Sequence, residues 1–232
     1  SADGAPQYED NTFSRWGASG LAAVWAESNT RDAIFNALRN KETFATSGPR
    51  IQLRFFAGHN FPSNMLTRSD PIKTAYTLGV PMGSNVTAQD VAPTFLAWAV
   101  RDANSGPLQR LQVIKGWIDD RGQPQERIFD VACAPGLTVD PASGHCIDDA
   151  SSVNLTDCNI DTDTGSSELK SMWTDPNFEL GQDAFYYLRA LEVPSCRWST
   201  WDSMRAGTPR NPALPPTIQE RAWSSPIWVK SK

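Results

Sequence analysis

The stretch SGLAAVWAESNTRDAIFNALRNKETFATSGPRI, from Ser19 to Ile51, changes its period partway along. Asn29 or Thr30 can cap a helix, with Asp32 in the first turn, where the helix dipole favours negative charge. Ala33, Ile34, Ala37 and Leu38 recur at helical spacing, and Arg39 and Lys41 put cations at the C-terminal end. This predicts a helix over about residues 30–40. Before it, Leu21, Ala22, Val24 and Trp25 form a short apolar run, either a buried strand or an extra turn. After it, TFATSGP reads as a stop, because Gly48-Pro49 breaks any continuation. From Arg50 the period is 2: Ile51, Leu53 and Phe55 alternate with Gln52, Arg54 and Phe56, a half-buried strand. The stretch is therefore read as a junction, a helix that finishes one domain and a strand that starts another. Only 18 residues precede it. The expectation is that the chain is the tail of something larger.

Downstream the pattern is strand after strand. Thr94 to Val100 sets Phe95, Ala97 and Ala99 on one face and Leu96, Trp98 and Val100 on the other; with both faces apolar it reads as a central strand. Leu108 to Asp119 and Gln125 to Val131 flank Asp120-Arg121-Gly122, a hairpin turn. Ala184 to Val193 places Phe185, Tyr187, Leu191 and Val193 on one side, with Arg189 interrupting. The last strand is Ala222 to Val229, where Pro226 implies an edge or a bulge. Ser199 to Ala206 reads as a short helix capped by Ser199 and stopped by Gly207, and Pro209 to Pro216 as an extended connector. Many strands with few helices predict a mainly β fold, an antiparallel β-sandwich over residues 50–232. Its long polar loop, about residues 134–167, must be pinned, functional or both.

Composition narrows the function classes. The 232 residues are 40% apolar and 20% charged, as in a globular protein rather than a disordered one. The net charge of −5 argues against a nucleic-acid surface, which needs a basic stripe. No run of 18 apolar residues suggests a membrane span. The start, SADGAPQYEDN, has neither the basic nor the apolar region of a signal peptide. The four cysteines are Cys133, Cys146, Cys158 and Cys196, none in a C-x-x-C pair. An even count in an acidic, loop-rich region favours disulfides and an oxidising compartment. Of the three possible pairings, Cys133–Cys146 and Cys158–Cys196 are favoured, both pinning the long loop; four free buried thiols are the alternative.

Candidate chemistry is sparse. His59 and His145 are the only histidines, too few and too far apart for a metal site. Asn159, Asp161 and Asp163 alternate before Gly165, but the glycine is seventh and Lys170 twelfth, so the EF-hand spacing fails. Cys196 beside Arg197 lacks a nearby histidine to activate it as a nucleophile. Of nine tryptophans, Trp98 and Trp117 sit in strand patterns and read as core. Trp198, Trp201, Trp223 and Trp228 fit either an inter-domain seam or a sugar-stacking surface. Glu27, Asn29, Arg31 and Arg50 are the polar residues most concentrated at the junction. They are either capping and surface groups or side chains that project into a neighbouring active site.

Three stretches carry a family likeness: GLAAVWAESNTRDAIFNALRNKETFATSGPRIQLRFFAG, WTDPNFELGQDAFYYLRALEVPSCRWSTWDSMRAG and PTIQERAWSSPIW, together with VIKGWIDDRGQ. The chain resembles the C-terminal part of a bacterial exported family with a domain of unknown function, itself similar to the PHP (polymerase and histidinol phosphatase) metallohydrolases. His59 departs from it, standing where the family is expected to have an aromatic residue. The resemblance implies an upstream, distorted β/α barrel carrying His-rich motifs and two or three divalent metals, Mn or Zn, that activate water against a phosphate ester or a related substrate. It implies that residues 1–49 are the C-terminal end of that barrel domain and that the sandwich is its companion. This segment would hold no cofactor itself, and the protein would be periplasmic or secreted. The alternative is a free-standing sandwich that binds a glycan or a protein partner.

Overall fold

A computed structural model describes residues 19–140, 142–147, 153–160 and 164–231. The described chain is mainly β, with fourteen strands and three α-helices. One four-stranded sheet runs in the order β4 (Val80–Pro81), β3 (Gln52–Gly58), β6 (Thr94–Val100) and β9 (Glu168–Thr174), all antiparallel. β6 is central in it, as its two apolar faces require.

The larger, eight-stranded sheet is built on β10 (Ala184–Glu192). On one side β10 pairs with β7 (Leu108–Ile118), which forms the expected hairpin with β8 (Pro124–Cys133). Asp119 closes that turn, accepting the backbone N–H groups of Arg121 and Gln123 on Oδ1. On the other side β10 pairs with β13 (Arg221–Ser224) and then β14 (Ile227–Lys230). Between Trp223 and Ile227, three residues oppose only Tyr187 and Leu188, so the sequence signal at Pro226 is a bulge. Ser224 Oγ fills the gap in the ladder by accepting from Leu188 N–H at 2.9 Å. β5 (Asn85–Thr87) lies parallel to β14, and β2 (Thr43–Thr46) lies antiparallel to β13 with β1 (Leu21–Val24) at the edge.

The inner faces of the two sheets share one core, a sandwich-like arrangement. Alternation along β10 turns Ala184, Tyr186, Leu188 and Ala190 inward and leaves Phe185, Tyr187 and Arg189 on the outer face. Phe95 of the smaller sheet packs on Tyr186 of the larger at 4.6 Å between ring centroids, and Phe55 stacks on Phe95 at 5.4 Å. A second, smaller cluster of Phe56, Met65, Ala75 and Leu96 lies on the other face of the four-stranded sheet. It sits under a single 3-10 turn, Met65–Thr67, and a helix spanning Pro71–Leu78.

The junction differs from its reading in two ways. Its helix, α1 (Arg31–Arg39), is capped by Thr30 Oγ1 and ends at Asn40. Lys41 then turns the chain with φ 58°, and TFAT continues as strand β2 rather than a stop. The reason is local: Thr43, Phe44 and Thr46 suit a half-buried pleat, and β13 offers them an edge. The run before the helix is an edge strand with Leu21 and Ala22 exposed, neither a buried strand nor a helical turn. β1 and β2 thus enter the larger sheet, and Phe44 enters the shared core.

The helix Pro71–Leu78, α2, was not foreseen, although Pro at its first turn is a start signal. The third helix, α3 (Trp198–Ala206), begins one residue before the expected Ser199. Arg197 is its N-cap residue, with no side-chain cap. β11 (Ser195–Cys196) and β12 (Thr217–Ile218) make a small ladder beside it. The loop after β8 is tied by two disulfides, Cys133–Cys146 and Cys158–Cys196. No described helix is long and apolar enough to cross a membrane.

Candidate functional site

Glu27 and Asn29 lie in the turn from β1 to α1, Arg31 opens the helix, and Arg50 precedes β3. All four are exposed. Arg50 anchors its backbone, donating N–H to Asp102 Oδ2 at 2.7 Å. Among the described residues no hydrogen bond or ion pair joins any of the four to another. They line the junction but form no constellation of their own.

A tighter cluster lies beside them. Trp25, at the end of β1, donates Nε1–H to Leu53 O at 2.7 Å, which fixes its ring against β3. The Arg54 guanidinium stacks 3.3 Å from the centroid of that ring and donates to Tyr76 Oη at 3.0 Å. Tyr76, on α2, in turn donates to Glu42. Arg54 and Glu42 form an ion pair at 3.7 Å. Burial, and then the Glu42 carboxylate, push the Tyr76 phenol up to about 12, so it stays a proton donor at neutral pH. Burial raises Glu42 and lowers Arg54, each against the pull of the other. Beside the stack is a 160 Å³ groove walled by Trp25, Arg54, Ile72 and Trp98. Sequence reasoning missed this cluster. Alternation did place Arg54 outward, but nothing local pairs it with a tryptophan 29 residues earlier.

Trp98 is not core. It lies on the outer face of the smaller sheet and donates Nε1–H to Glu168 at 2.7 Å, with Lys170 5.3 Å from its centroid. The reason is register: Arg54, Trp98 and Lys170 are neighbours across β3, β6 and β9. Trp117 does pack against the shared core. Arg205 stacks on Trp201, at 5.3 Å. Cys196 is held in a disulfide and cannot act as a nucleophile.

His59 contacts Thr87 O at 3.2 Å, and His145 lies 3.6 Å from Asp130. Among the described residues no three His, Cys, Asp or Glu side chains are grouped to hold a metal ion. Asp161 and Asp163 lie outside the described residues.

One titratable group is buried at the far end of the larger sheet. Glu192, 1% exposed, accepts from Ser105 Oγ at 2.6 Å, and its Oε1 has no partner. Burial chiefly, with Glu220 and Asp102 adding repulsion, pushes it up to about 7. Its neighbours tie the junction down: Glu220 accepts from Ser47, the residue that follows β2.

Residues 2–231 match the family described as "Protein of unknown function (DUF3604)", and the chain belongs to that family. Neither the curated proteins nor the solved structures contain a match to it.

Proposed function

We propose that the chain is the C-terminal, non-catalytic segment of an exported, PHP-like metal-dependent hydrolase acting on a phosphate ester or a related substrate. One observation carries this reading. Helix α1 buries only Ala37, while Phe35 and Leu38 are 57% and 54% exposed. Residues three apart are neighbours on a helix surface. A helix that turns its large apolar side chains away from its own sheet is built for a second layer. Leu21 of the edge strand, 41% exposed, adds to the surface such a layer would cover. The layer proposed is an upstream barrel domain, which would hold the divalent metal, Mn or Zn. Glu27, Asn29 and Arg31 flank the same helix and would face that domain. Two disulfides fit an oxidising compartment, here taken as the periplasm or the exterior.

The test is hydrolysis of phosphomonoester and phosphodiester probes with Mn²⁺ or Zn²⁺. Turnover is expected from a protein that carries the upstream barrel and none from this chain alone. Activity in the isolated chain overturns the reading. So does a barrel-containing protein whose activity and domain association are unchanged by Phe35→Ser with Leu38→Ser.

A second reading, a free-standing binding module, is favoured by a cleft on the outer face of the larger sheet, where Phe185 and Trp228 lie side by side.

A further inference from the structure

That cleft has a composition that selects one kind of ligand. Alternation puts Trp228 and Lys230 of β14, Phe185 of β10 with Asp183 just before it, Gly116 of β7 and Glu126 of β8 on a single face. The register sets Trp228 beside Phe185, Phe185 beside Gly116, and Gly116 beside Glu126. Glycine at 116 makes the floor. A Cβ there would lie 2.2 Å from Phe185 Cζ, so the ring leans over the glycine and leaves a trough next to it. The space is 420 Å³, within the range of about 300–1,000 Å³ usual for small-molecule sites.

The aromatic wall is braced. Phe185 stacks on Tyr187 at 6.5 Å with the planes 15° apart, and Lys41 Nζ sits 5.7 Å from the Trp228 centroid. The polar rim is free to bond outward. The Glu126 side chain makes no hydrogen bond or ion pair among the described residues. Asp183 accepts both Ser231 N–H and Ser231 O–H on Oδ1, at 2.7 Å each, which leaves Oδ2 without a donor among the described residues. Lys230 is exposed.

We propose that this trough binds a pyranose ring of a neutral oligosaccharide. A pyranose offers an apolar C–H face to Phe185 and Trp228, and a rim of hydroxyls. Those hydroxyls can donate to Glu126 and Asp183 and accept from Lys230. A purely apolar ligand would strip water from two carboxylates without giving them donors, and an anionic one would meet both charges. The proposal deepens the binding-module reading. It is independent of the hydrolase reading, which is tested by turnover, so either can fail alone.

The experiment is a tryptophan-fluorescence and calorimetric titration of the 232-residue chain. The probes are cellotetraose, xylotetraose, mannotetraose, maltotetraose and chitotetraose. At least one is expected to bind saturably. Trp228→Ala should weaken it by about tenfold or more, about 1.4 kcal/mol. Glu126→Gln changes an exposed side chain, so the fold should survive, and affinity for the same probe should fall at least threefold. Circular dichroism checks that both variants are folded. The proposal is overturned if no probe binds the folded chain, or if binding is unchanged in both folded variants.

Discussion

Lys115 Nζ lies 2.8 Å from Asp175 Oδ2, with both side chains sealed between the two sheets. Asp175 also accepts the Tyr186 hydroxyl at 2.8 Å, and Lys115 donates to Asn177 O at 2.8 Å. Burial and the adjacent carboxylate raise the Tyr186 phenol far above its ordinary value, so it remains a donor. Lys115→Met would leave Asp175 as a buried anion without its cation, at a cost of about 3–5 kcal/mol. Lys115→Met with Asp175→Leu removes both charges and should recover most of that loss. Urea unfolding of the two variants measures the difference. Equal losses in the single and double variants would deny the pair any special role.

Glu192 predicts a pH dependence of stability. Its carboxyl is raised in the folded state from 4.5 to about 7, so the folded chain holds a proton that the unfolded chain releases. Its contribution is fully present below about pH 4.5 and is lost as pH rises to about 7, a change of roughly 3 kcal/mol. Glu192→Gln should remove that slope and make the protein more stable than wild type at pH 8. Thermal melts across pH 4–8 test it, and a variant with the wild-type slope would refute the assignment.

The disulfides pin the loop that follows β8. Cys133–Cys146 spans 13 residues and Cys158–Cys196 spans 38, so opening them costs about 3 and 4 kcal/mol in the chain-entropy account. Replacing Cys133 and Cys146 by serines should lower Tm by roughly 6–12 °C, and replacing Cys158 and Cys196 by roughly 8–16 °C. Calorimetry on the two double variants, with and without reductant, reads this. Reductant should have no further effect on a variant lacking both pairs.

Gly83 is a backbone lock between the α1–β2 turn and the β14 bulge. It has φ 89°, its N–H donates to Pro226 O at 2.9 Å, and a Cβ there would lie 2.3 Å from Lys41 O. Gly83→Ala must strain the residue and push the turn away, at a cost of about 1–3 kcal/mol or more. Hydrogen exchange should show faster opening of β2 and β14 in particular. Uniform acceleration across both sheets would contradict a local lock.

Much of the architecture was legible along the chain. The alternation of Ile51, Leu53 and Phe55, the two apolar faces of Thr94–Val100 and the Asp120-Arg121-Gly122 turn each give the element that is found. TFAT was not legible, because four residues after a helix look the same whether they end a domain or join a sheet. Only the edge presented by β13, 178 residues later at Ala45↔Trp223, makes them a strand once the loop between is closed. The junction residues Glu27, Asn29, Arg31 and Arg50 were visible as polar groups, but the stack of Arg54 on Trp25 beside them was not.

The sequence by itself determined the mainly β class, the strands β3, β6, β7, β8 and β10, a helix capped at Asn29 or Thr30, and an edge or a bulge at Pro226. These depend on period, turn chemistry and backbone restriction, all of which act over a few residues. Only the tertiary structure decided which face of each strand is inner. Phe185 was visible as an aromatic, but the packing of Tyr186 against Phe95 turns it outward, beside Trp228 and over Gly116. Side-chain direction has period 2 in every strand, so local pattern leaves two equivalent choices. Long-range packing of one sheet on the other selects between them.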